Sequence, residues 1–188
     1  MAGKVIILCA PSGSGKTTLA KYLLSIKELD LKFSVSATTR KKRDGEIDGL
    51  DYNFLSIDEF KNRIQNNGFV EYEEVYDNIF YGTLKSEIDS VIINHNIIFD
   101  VDVVGALSLK RYFSSNSLTL FINPPSIGEL ENRLRLRKNN LEKDLNERLN
   151  KAEKEMEMKD KFDHIIINND LNKSKNEILS VVKGFLNK

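Results

Sequence analysis

The stretch CAPSGSGKTT, from Cys9 to Thr18, constrains the fold of this chain more than any other part of the sequence. It follows a short apolar run, Val5 to Leu8, which predicts a buried strand. A segment predicted to be helical begins near Lys16, directly after the glycines and serines of the stretch. A strand, a glycine-rich loop and a helix in this succession are the frame of a phosphate-binding loop.

The residue pattern of the loop supplies the chemistry for holding phosphate. Apart from its first position it follows G-x-x-x-x-G-K-[ST], in which backbone N–H groups of the loop and of the helix N-terminus converge on an anion. Lys16 adds a point charge, and Thr17 can place its hydroxyl on a magnesium ion. We therefore predict a phosphate site made by Ala10, Pro11, Ser12, Gly13, Ser14, Gly15, Lys16, Thr17 and Thr18.

Ala10 departs from this pattern, because a glycine normally stands there. Alanine is comfortable wherever the backbone φ is negative, whereas Gly13 and Gly15 flank the tightest part of the loop. We expect the loop to survive this departure; the alternative is an ordinary Gly/Ser turn before a helix. The loop alone does not name a reaction, since ATPases, GTPases and many small-molecule kinases share it.

Length and charge limit the classes of function that remain. A chain of 188 residues fits one main domain with room for a small insertion. Its 28 Lys and Arg balance its 28 Asp and Glu, which argues against nucleic-acid polymers and anionic membranes as partners. The apolar run near the start is too short for a signal peptide, and no later run reaches the roughly 18 residues of a membrane span. We expect a soluble, cytoplasmic protein.

The cysteine and histidine content argues against disulfide and zinc chemistry. Cys9 is the only cysteine, so no internal disulfide can form, and its place at the end of a buried strand predicts a packing role. With His95 and His164 as the only histidines, a Cys/His zinc site is not expected. We expect both histidines to be structural.

Apolar runs alternate along the chain with amphipathic stretches, which predicts an α/β fold with a parallel sheet and covering helices. Residues 36–83 differ, because they carry turn signals and two extended segments, FVEYEEVY and IFYGT. We predict a small mixed insertion there, on a core made of residues 1–35 and 84–188. The buried strands are predicted at Val5 to Leu8, Ile97 to Val101, Leu118 to Ile122 and Ile165 to Ile167.

Residues 131–160 form a highly charged segment that is helical by composition. Its apolar stripe is thin, so we predict an excursion on the surface of the core. The stripe consists of Leu134, Leu141, Leu145 and Leu149.

A basic cluster lies within FSVSATTRKKRDGEIDGLDYNF, residues 33–54. It places Arg40, Lys41, Lys42 and Arg43 together in a chain of zero net charge. Arginine forks match phosphate oxygens bidentately, so the cluster predicts a second anion receptor. The alternative is a solvated basic turn.

Together these stretches resemble the guanylate kinases, a family of P-loop nucleoside monophosphate kinases. The resemblance runs over essentially the whole chain, through many ordered motifs at spacing similar to that of the family. The motifs are APSGSGKTT, SVSATTR, GEIDGLDYNF, FVEYEEVY, FYGT, DVDVVG, FINPPS, the arginine-rich segment and IIINND. It implies a P-loop NTPase-type sheet with covering helices, a GMP-binding insertion and a helical lid at about residues 133–150.

The resemblance also implies how an acceptor GMP would be held. Its phosphate would meet Arg40, Arg43, Tyr52 and Tyr81, and its base would meet Ser36, Glu71, Thr83 and Asp102. Guanine presents N1–H and a 2-amino group side by side, and a carboxylate such as that of Glu71 can accept both. Adenine leaves that carboxylate unpaired, so Glu71 would select guanine. The alternative for Glu71 is a solvated acid.

The carboxyl end of the apolar run IIFDV carries Asp100, at the sheet edge where ligands bind in α/β folds. It resembles an aspartate that holds magnesium opposite Thr17. Asp102 follows two residues later, just beyond the apolar run. The lid arginines implied by the resemblance are Arg133, Arg137 and Arg148, and Asn168 matches a position near the adenine of ATP.

The activity implied is magnesium-dependent transfer of the γ-phosphoryl group of ATP to GMP, with dGMP as a further candidate acceptor. Lys16, Arg43 and the lid arginines would stabilise the transferring charge. One alternative is a kinase for another nucleoside monophosphate. Another is a binding module of the kind found in membrane-associated scaffold proteins, which grips phosphorylated peptides and has lost catalysis.

Overall fold

The computed structural model describes residues 3–136 and 142–187. The strands are β1 (Val5–Cys9), β2 (Leu31–Phe33), β3 (Ala37–Thr38), β4 (Asn53–Phe54), β5 (Phe69–Tyr76), β6 (Ile79–Leu84), β7 (Asn96–Val101), β8 (Ser117–Asn123) and β9 (His164–Ile167). The helices are α1 (Lys16–Leu24), α2 (Ile57–Gln65), α3 (Lys85–Val91), α4 (Val103–Phe113), α5 (Ile127–Arg135), α6 (Glu142–Glu157) and α7 (Leu171–Leu186).

A five-stranded parallel sheet, in the order β2-β7-β1-β8-β9, forms the centre of the molecule. Every residue of β1 is buried, as a strand covered on both faces requires. Ile6 and Leu8 pack with α1 and α7 on one face, whereas Val5, Ile7 and Cys9 pack with α4 on the other. The four predicted apolar runs lie in β1, β7, β8 and β9, and the predicted α/β fold is confirmed.

A second, smaller sheet of mixed direction has the order β4-β3-β6-β5. β3 pairs in parallel with β4, whereas the pairings of β6 with β3 and β5 are antiparallel. Helix α2 covers this sheet, where Phe60 stacks on Phe69 and Phe80 at centroid distances of 4.3 and 5.3 Å. The extended segments predicted in FVEYEEVY and IFYGT are therefore strands β5 and β6.

Helices α5 and α6 pack on each other around a small apolar cluster of Leu130, Leu134, Leu145 and Ala152, with Leu149 at its side. The predicted stripe thus includes three leucines that meet in one cluster, and Leu141 lies outside the described residues. None of the helices in the described part of the chain has the length and apolarity needed to cross a membrane.

Candidate active site

The phosphate-binding loop joins the end of β1 to the start of α1. Gly13 and Gly15 have φ angles of 96° and 90°, in the left-handed region that glycine adopts without strain. Ala10 is not among the residues with positive φ, and it lies buried in the core. The loop conformation is therefore compatible with alanine at this position, and the two glycines stand where the backbone requires them.

Lys16 and Thr17 both contact the carboxylate of Asp100, the penultimate residue of β7. Lys16 Nζ lies 2.9 Å from one carboxylate oxygen, and the Thr17 hydroxyl donates to the other at 2.8 Å. Lys16 also donates to the backbone oxygen of Val101. Burial disfavours the ammonium ion, but the charge of Asp100 and its hydrogen bond, together with smaller contributions from Cys9 and Asp102, outweigh burial and raise the pKa of Lys16. Lys16 is therefore held as a cation at the loop.

Asn168 supports the loop from β9. Its side-chain amide donates to the backbone oxygen of Ser14 at 2.7 Å, and a Cβ atom at Gly15 would collide with that amide. Arg133 on α5 donates to the backbone oxygen of Asn168 at 3.2 Å and to Glu129 at 2.9 Å. One predicted lid arginine thus lies beside the end of β9 that contacts the loop.

The other two predicted lid arginines stand differently. Arg148 lies on α6 and is half-buried. Arg137 lies outside the described residues. The catalytic roles of Arg133, Arg137 and Arg148 stay predictions.

The basic cluster and two tyrosines meet on the second sheet. Arg40 Nε donates to the Tyr81 hydroxyl at 3.2 Å, and the guanidinium carbon lies 5.2 Å from the centre of the Tyr52 ring. The rings of Tyr52 and Tyr81 meet edge to face at 5.9 Å. Arg43 is exposed, and its backbone N–H donates to Glu46, which also accepts from Arg40. Arg40, Tyr52 and Tyr81 therefore form one pocket wall.

Glu71 and Thr83 face each other across the β5–β6 ladder. The Thr83 hydroxyl donates to a carboxylate oxygen of Glu71 at 2.6 Å. Burial raises the pKa of Glu71 to about 7, against the hydrogen bond from Thr83 and with the charge of Asp102 adding to the rise. A Cβ atom on Gly105 would lie 3.1 Å from the second carboxylate oxygen, so the glycine allows helix α4 to approach it.

Asp102 does not continue the strand that carries Asp100. Strand β7 ends at Val101, and Asp102 caps helix α4 by accepting the backbone N–H of Gly105 at 2.8 Å. It also lies 3.6 Å from Lys151 Nζ on α6. Capping changes the direction of the side chain, because the backbone turns into a helix there.

Glu73 is a further acid beside Asp102. Burial, together with the neighbouring Asp102 carboxylate, raises the pKa of Glu73 to about 8. Burial acts in the same direction on Asp102, but contacts with Glu73, the Gly105 N–H and Lys151 outweigh it and lower the pKa of Asp102. Glu73 is therefore the weaker acid of this pair.

Ser36 lies in the connection before β3. Its backbone oxygen accepts the N–H of Asn53 at 2.9 Å, and the residue is half-buried. The structure thus places Ser36 at the edge of the second sheet. Its role toward the guanine base stays a prediction.

The two groups of residues influence each other electrostatically. Burial raises the pKa of Tyr52, and the charges of Tyr81 and Asp100 add to the rise, whereas Arg40 and Lys16 oppose it. Tyr52 directly precedes β4 of the second sheet, and Asp100 and Lys16 belong to the phosphate-loop site. The Tyr52 hydroxyl therefore lies within electrostatic range of the phosphate-loop site.

Cys9, His95 and His164 lie away from this chemistry. Cys9 is buried, its Sγ lies 3.7 Å from the Leu120 oxygen, and burial raises the pKa of its thiol. His95 contacts Asp30 at 2.8 Å and His164 contacts Glu177 at 3.0 Å, both at the surface. The packing role predicted for Cys9 agrees with its position in the core.

Sequence reasoning missed several acids of the site. Glu46 accepts hydrogen bonds from both terminal nitrogens of Arg40. The only sequence signal for this ion pair is an acid six residues after an arginine of the basic run, and that signal is weak. Glu73 has no distinguishing signal, because acids surround it in FVEYEEVY. Glu155 is 6% exposed although it stands in a segment dominated by charge, so its burial depends on the fold alone.

A phosphate loop at the switch of a parallel sheet, with a group of basic and phenolic side chains within electrostatic range of it, is typical of a P-loop kinase that acts on a small molecule. The family model of guanylate kinase matches residues 2–184. The chain belongs to the guanylate kinase family.

Individual relatives agree with this assignment. A guanylate kinase of Bacteroides fragilis is 50% identical over 184 residues, covering 97% of this chain and 90% of that protein. One from Porphyromonas gingivalis is 47% identical over 186 residues, covering 98% and 99%. The crystal structure of guanylate kinase from Anaplasma phagocytophilum superposes with a TM-score of 0.80 at 27% identity, covering 100% of this chain and 88% of that one.

A more distant structure shares the fold alone. Shikimate kinase from Bacteroides thetaiotaomicron superposes with a TM-score of 0.55 at 16% identity, covering 96% of this chain and 98% of that one.

Proposed function

We propose that this chain transfers the γ-phosphoryl group of ATP to GMP in the presence of magnesium, giving ADP and GDP. The observation that carries this proposal is the half-buried Glu71 carboxylate, which accepts a hydrogen bond from Thr83 on the sheet that also carries Tyr81, the partner of Arg40. It supports a pocket that reads a guanine base at one end and a phosphate at the other. Membership in the guanylate kinase family supports the same reading.

Glu71 acts as the acceptor for guanine. Its ionised carboxylate takes N1–H and one 2-amino N–H, and Thr83 holds the carboxylate in place. Ser36 and Asp102 complete the base contacts. The phosphate of GMP binds to Arg40, Arg43, Tyr52 and Tyr81.

ATP occupies the phosphate loop, with Asn168 beside its adenine. The Thr17 hydroxyl and the Asp100 carboxylate are hard oxygen donors 2.8 Å apart, which fits magnesium. Among the described residues no group of three or more His, Cys, Asp or Glu could hold a metal, so phosphates and water would supply most of its ligands. When bound, the ion neutralises charge on the β- and γ-phosphates.

Transfer forms a bond between a phosphate oxygen of GMP and the γ-phosphorus, and it breaks the bond from that phosphorus to the β,γ-bridging oxygen of ATP. Lys16, Arg43 and Arg133, with Arg137 and Arg148, stabilise the charge on the moving group. Residues 36–83 act as the GMP-binding unit and residues 133–150 as the lid on the core. Together they exclude water, which would otherwise compete as the acceptor.

A coupled assay of GMP, AMP and UMP, with wild type and Lys16→Ala, tests the proposal. We expect phosphate transfer to GMP and not to AMP or UMP. Lys16→Ala should lower turnover by several orders of magnitude while the fold stays intact. An unchanged rate in Lys16→Ala would contradict the role of the loop. A chain that binds GMP but turns over no ATP would favour the scaffold-type binding module.

A further inference from the structure

Glu46 holds the guanidinium of Arg40 in one orientation. Its two carboxylate oxygens accept from Nη2 at 2.8 Å and from Nη1 at 3.1 Å, a fork that fixes the plane of the guanidinium. The same carboxylate accepts the backbone N–H of Arg43 at 2.7 Å. One acid therefore orients one arginine and ties the backbone of a second to it.

The remaining donors of Arg40 show which edge is left for a ligand. Arginine has five N–H donors, and four of them donate hydrogen bonds within the protein. Nε donates to the Tyr81 hydroxyl, and the two N–H groups of Nη1 donate to Glu46 and to the Lys41 backbone oxygen. One N–H of Nη2 donates to Glu46. The last Nη2 N–H lies on the same edge as Nε, because the guanidinium is planar. That edge faces the Tyr81 hydroxyl.

Tyr81 adds a second donor at this place. Its oxygen accepts from Arg40 Nε, so its own O–H proton is available to a further acceptor. The guanidinium of Arg40 also lies beside two neighbouring rings, with its carbon 5.2 Å from the centre of Tyr52 and 5.7 Å from that of Phe54. One arginine N–H and one tyrosine O–H therefore lie next to each other and are both open to an acceptor.

Glu46 is ionised at neutral and mildly acidic pH. Its hydrogen bonds from Arg40 and from the Arg43 N–H hold the pKa of the carboxyl at about 2. The fork is therefore intact throughout the pH range in which the protein would be assayed.

We infer that Glu46 is a positioning residue for the acceptor phosphate, which acts by presenting Arg40 and Tyr81 to a phosphate monoester. This inference rests on the proposed function, because the monoester concerned is that of GMP. Glu46 keeps its place when GMP binds, since the phosphate approaches the free edge of Arg40.

Glu46→Gln is the decisive variant, because it keeps the shape but turns an amide N–H₂ toward a donor of Arg40. We expect KM and the calorimetric Kd for GMP to rise by roughly 10-fold or more, with kcat within about two-fold and KM for ATP unchanged. In an Arg40→Ala background the same change should add less than about two-fold, because the group through which Glu46 acts is gone. Should Glu46→Gln fail to fold, Glu46→Asp carries the measurement, with an intermediate rise expected.

Glu59→Gln is the matched control. Glu59 lies in the same sheet-and-helix unit, where it accepts the Ser56 N–H in the capping box of α2, and it makes no contact with Arg40. This variant should lower the melting temperature slightly and leave KM for GMP unchanged.

Three results would overturn the inference. Tighter GMP binding in Glu46→Gln would mean that Glu46 occupies the place of the phosphate. If Glu46→Gln weakened GMP binding as strongly in the Arg40→Ala background as in wild type, Glu46 would act through another group. If Glu46→Gln lowered the melting temperature and left KM for GMP unchanged, the role of Glu46 would be structural. If wild type binds GMP without phosphorylating it, the proposed function fails, while the calorimetric comparison still decides the role of Glu46.

Discussion

Thr17 donates its hydroxyl to Asp100 at 2.8 Å, across the junction between the phosphate loop and the neighbouring strand β7. This contact follows from strand register, because Asp100 pairs with Leu8 and so emerges at the same sheet edge as the loop. The other carboxylate oxygen holds Lys16 at 2.9 Å. The two loop residues that would meet a nucleotide's phosphates are therefore oriented before any nucleotide binds.

Asp100→Asn should lower kcat by about 100-fold or more, because an amide cannot supply the charge that, in the proposed function, would hold magnesium opposite Thr17. The magnesium concentration needed for half-maximal rate should rise at the same time. Steady-state rates measured over a magnesium titration test this. Asp89→Asn, at an exposed position on α3, is the control. An unchanged magnesium titration for Asp100→Asn would remove this residue from the metal site.

The fold was predictable because its signals are local. A buried parallel strand is a short apolar run, and β1, β7, β8 and β9 each have one. β2 is a three-residue edge strand with one exposed residue, so its apolar signal is short. The phosphate loop was predictable for the same reason, since its glycines, lysine and threonine are contiguous.

The site was less predictable because its contacts are not local. Asp102 stands only two residues after Asp100, but the chain turns into α4 there and Asp102 caps the helix, which the strand pattern does not indicate. The partner of Arg40 is Glu46, and no periodicity distinguishes it from the neighbouring acids. Glu155 is buried by the packing of α6 on the core, which its charged sequence does not indicate.

Glu71→Gln should lower kcat/KM for GMP by roughly 5- to 150-fold, because one charged hydrogen bond to guanine is lost. This factor corresponds to a loss of about 1 to 3 kcal/mol in binding of the transition state. Selectivity for GMP over AMP should fall with it. Side-by-side rates on the two acceptors test this. Glu74→Gln on the same strand is the control, since Glu74 is exposed and accepts the Asn78 N–H at the turn. Equal use of GMP by wild type and Glu71→Gln would contradict the guanine assignment.

The pH dependence of GMP use should report the same residue. Burial raises the pKa of Glu71 to about 7, so below this pH the free enzyme carries a protonated acid that cannot accept both guanine donors. Wild-type kcat/KM for GMP should fall by about tenfold per pH unit below 7. GMP titrates its own phosphate near pH 6, so the ratio of wild type to Glu71→Gln isolates the protein group. If the pH profiles of kcat/KM for wild type and Glu71→Gln were parallel, Glu71 would not be the group that titrates.

Glu155→Gln should stabilise the protein at alkaline pH. Burial raises the pKa of Glu155 from 4.5 to about 7. As pH rises, Glu155 therefore loses its proton in the unfolded chain at a lower pH than in the folded protein. The folded state therefore loses stability as pH rises from about 4.5 through 7, and glutamine removes that loss. We expect a gain on the order of 1 to 3 kcal/mol in the free energy of unfolding at pH 8 and little change at pH 5.

Urea unfolding at the two pH values measures this gain. Glu153→Gln, two residues away on the exposed face of α6, should show no difference between them. A gain of equal size at pH 5 and pH 8 would show that ionisation is not its cause.

Gly105→Ala should weaken GMP binding although alanine favours helices. The new Cβ would lie 3.1 Å from a Glu71 carboxylate oxygen and 3.2 Å from one of Asp102, so at least one of these acids must shift. We expect KM for GMP to rise by about 3- to 10-fold, with KM for ATP unchanged, because only the base contacts are disturbed. Gly184→Ala in α7 is the matched control, since its Cβ would meet open space and should stabilise the helix by about 0.5 to 1 kcal/mol. If Gly105→Ala resembles this control in both stability and KM, helix α4 does not limit the position of Glu71.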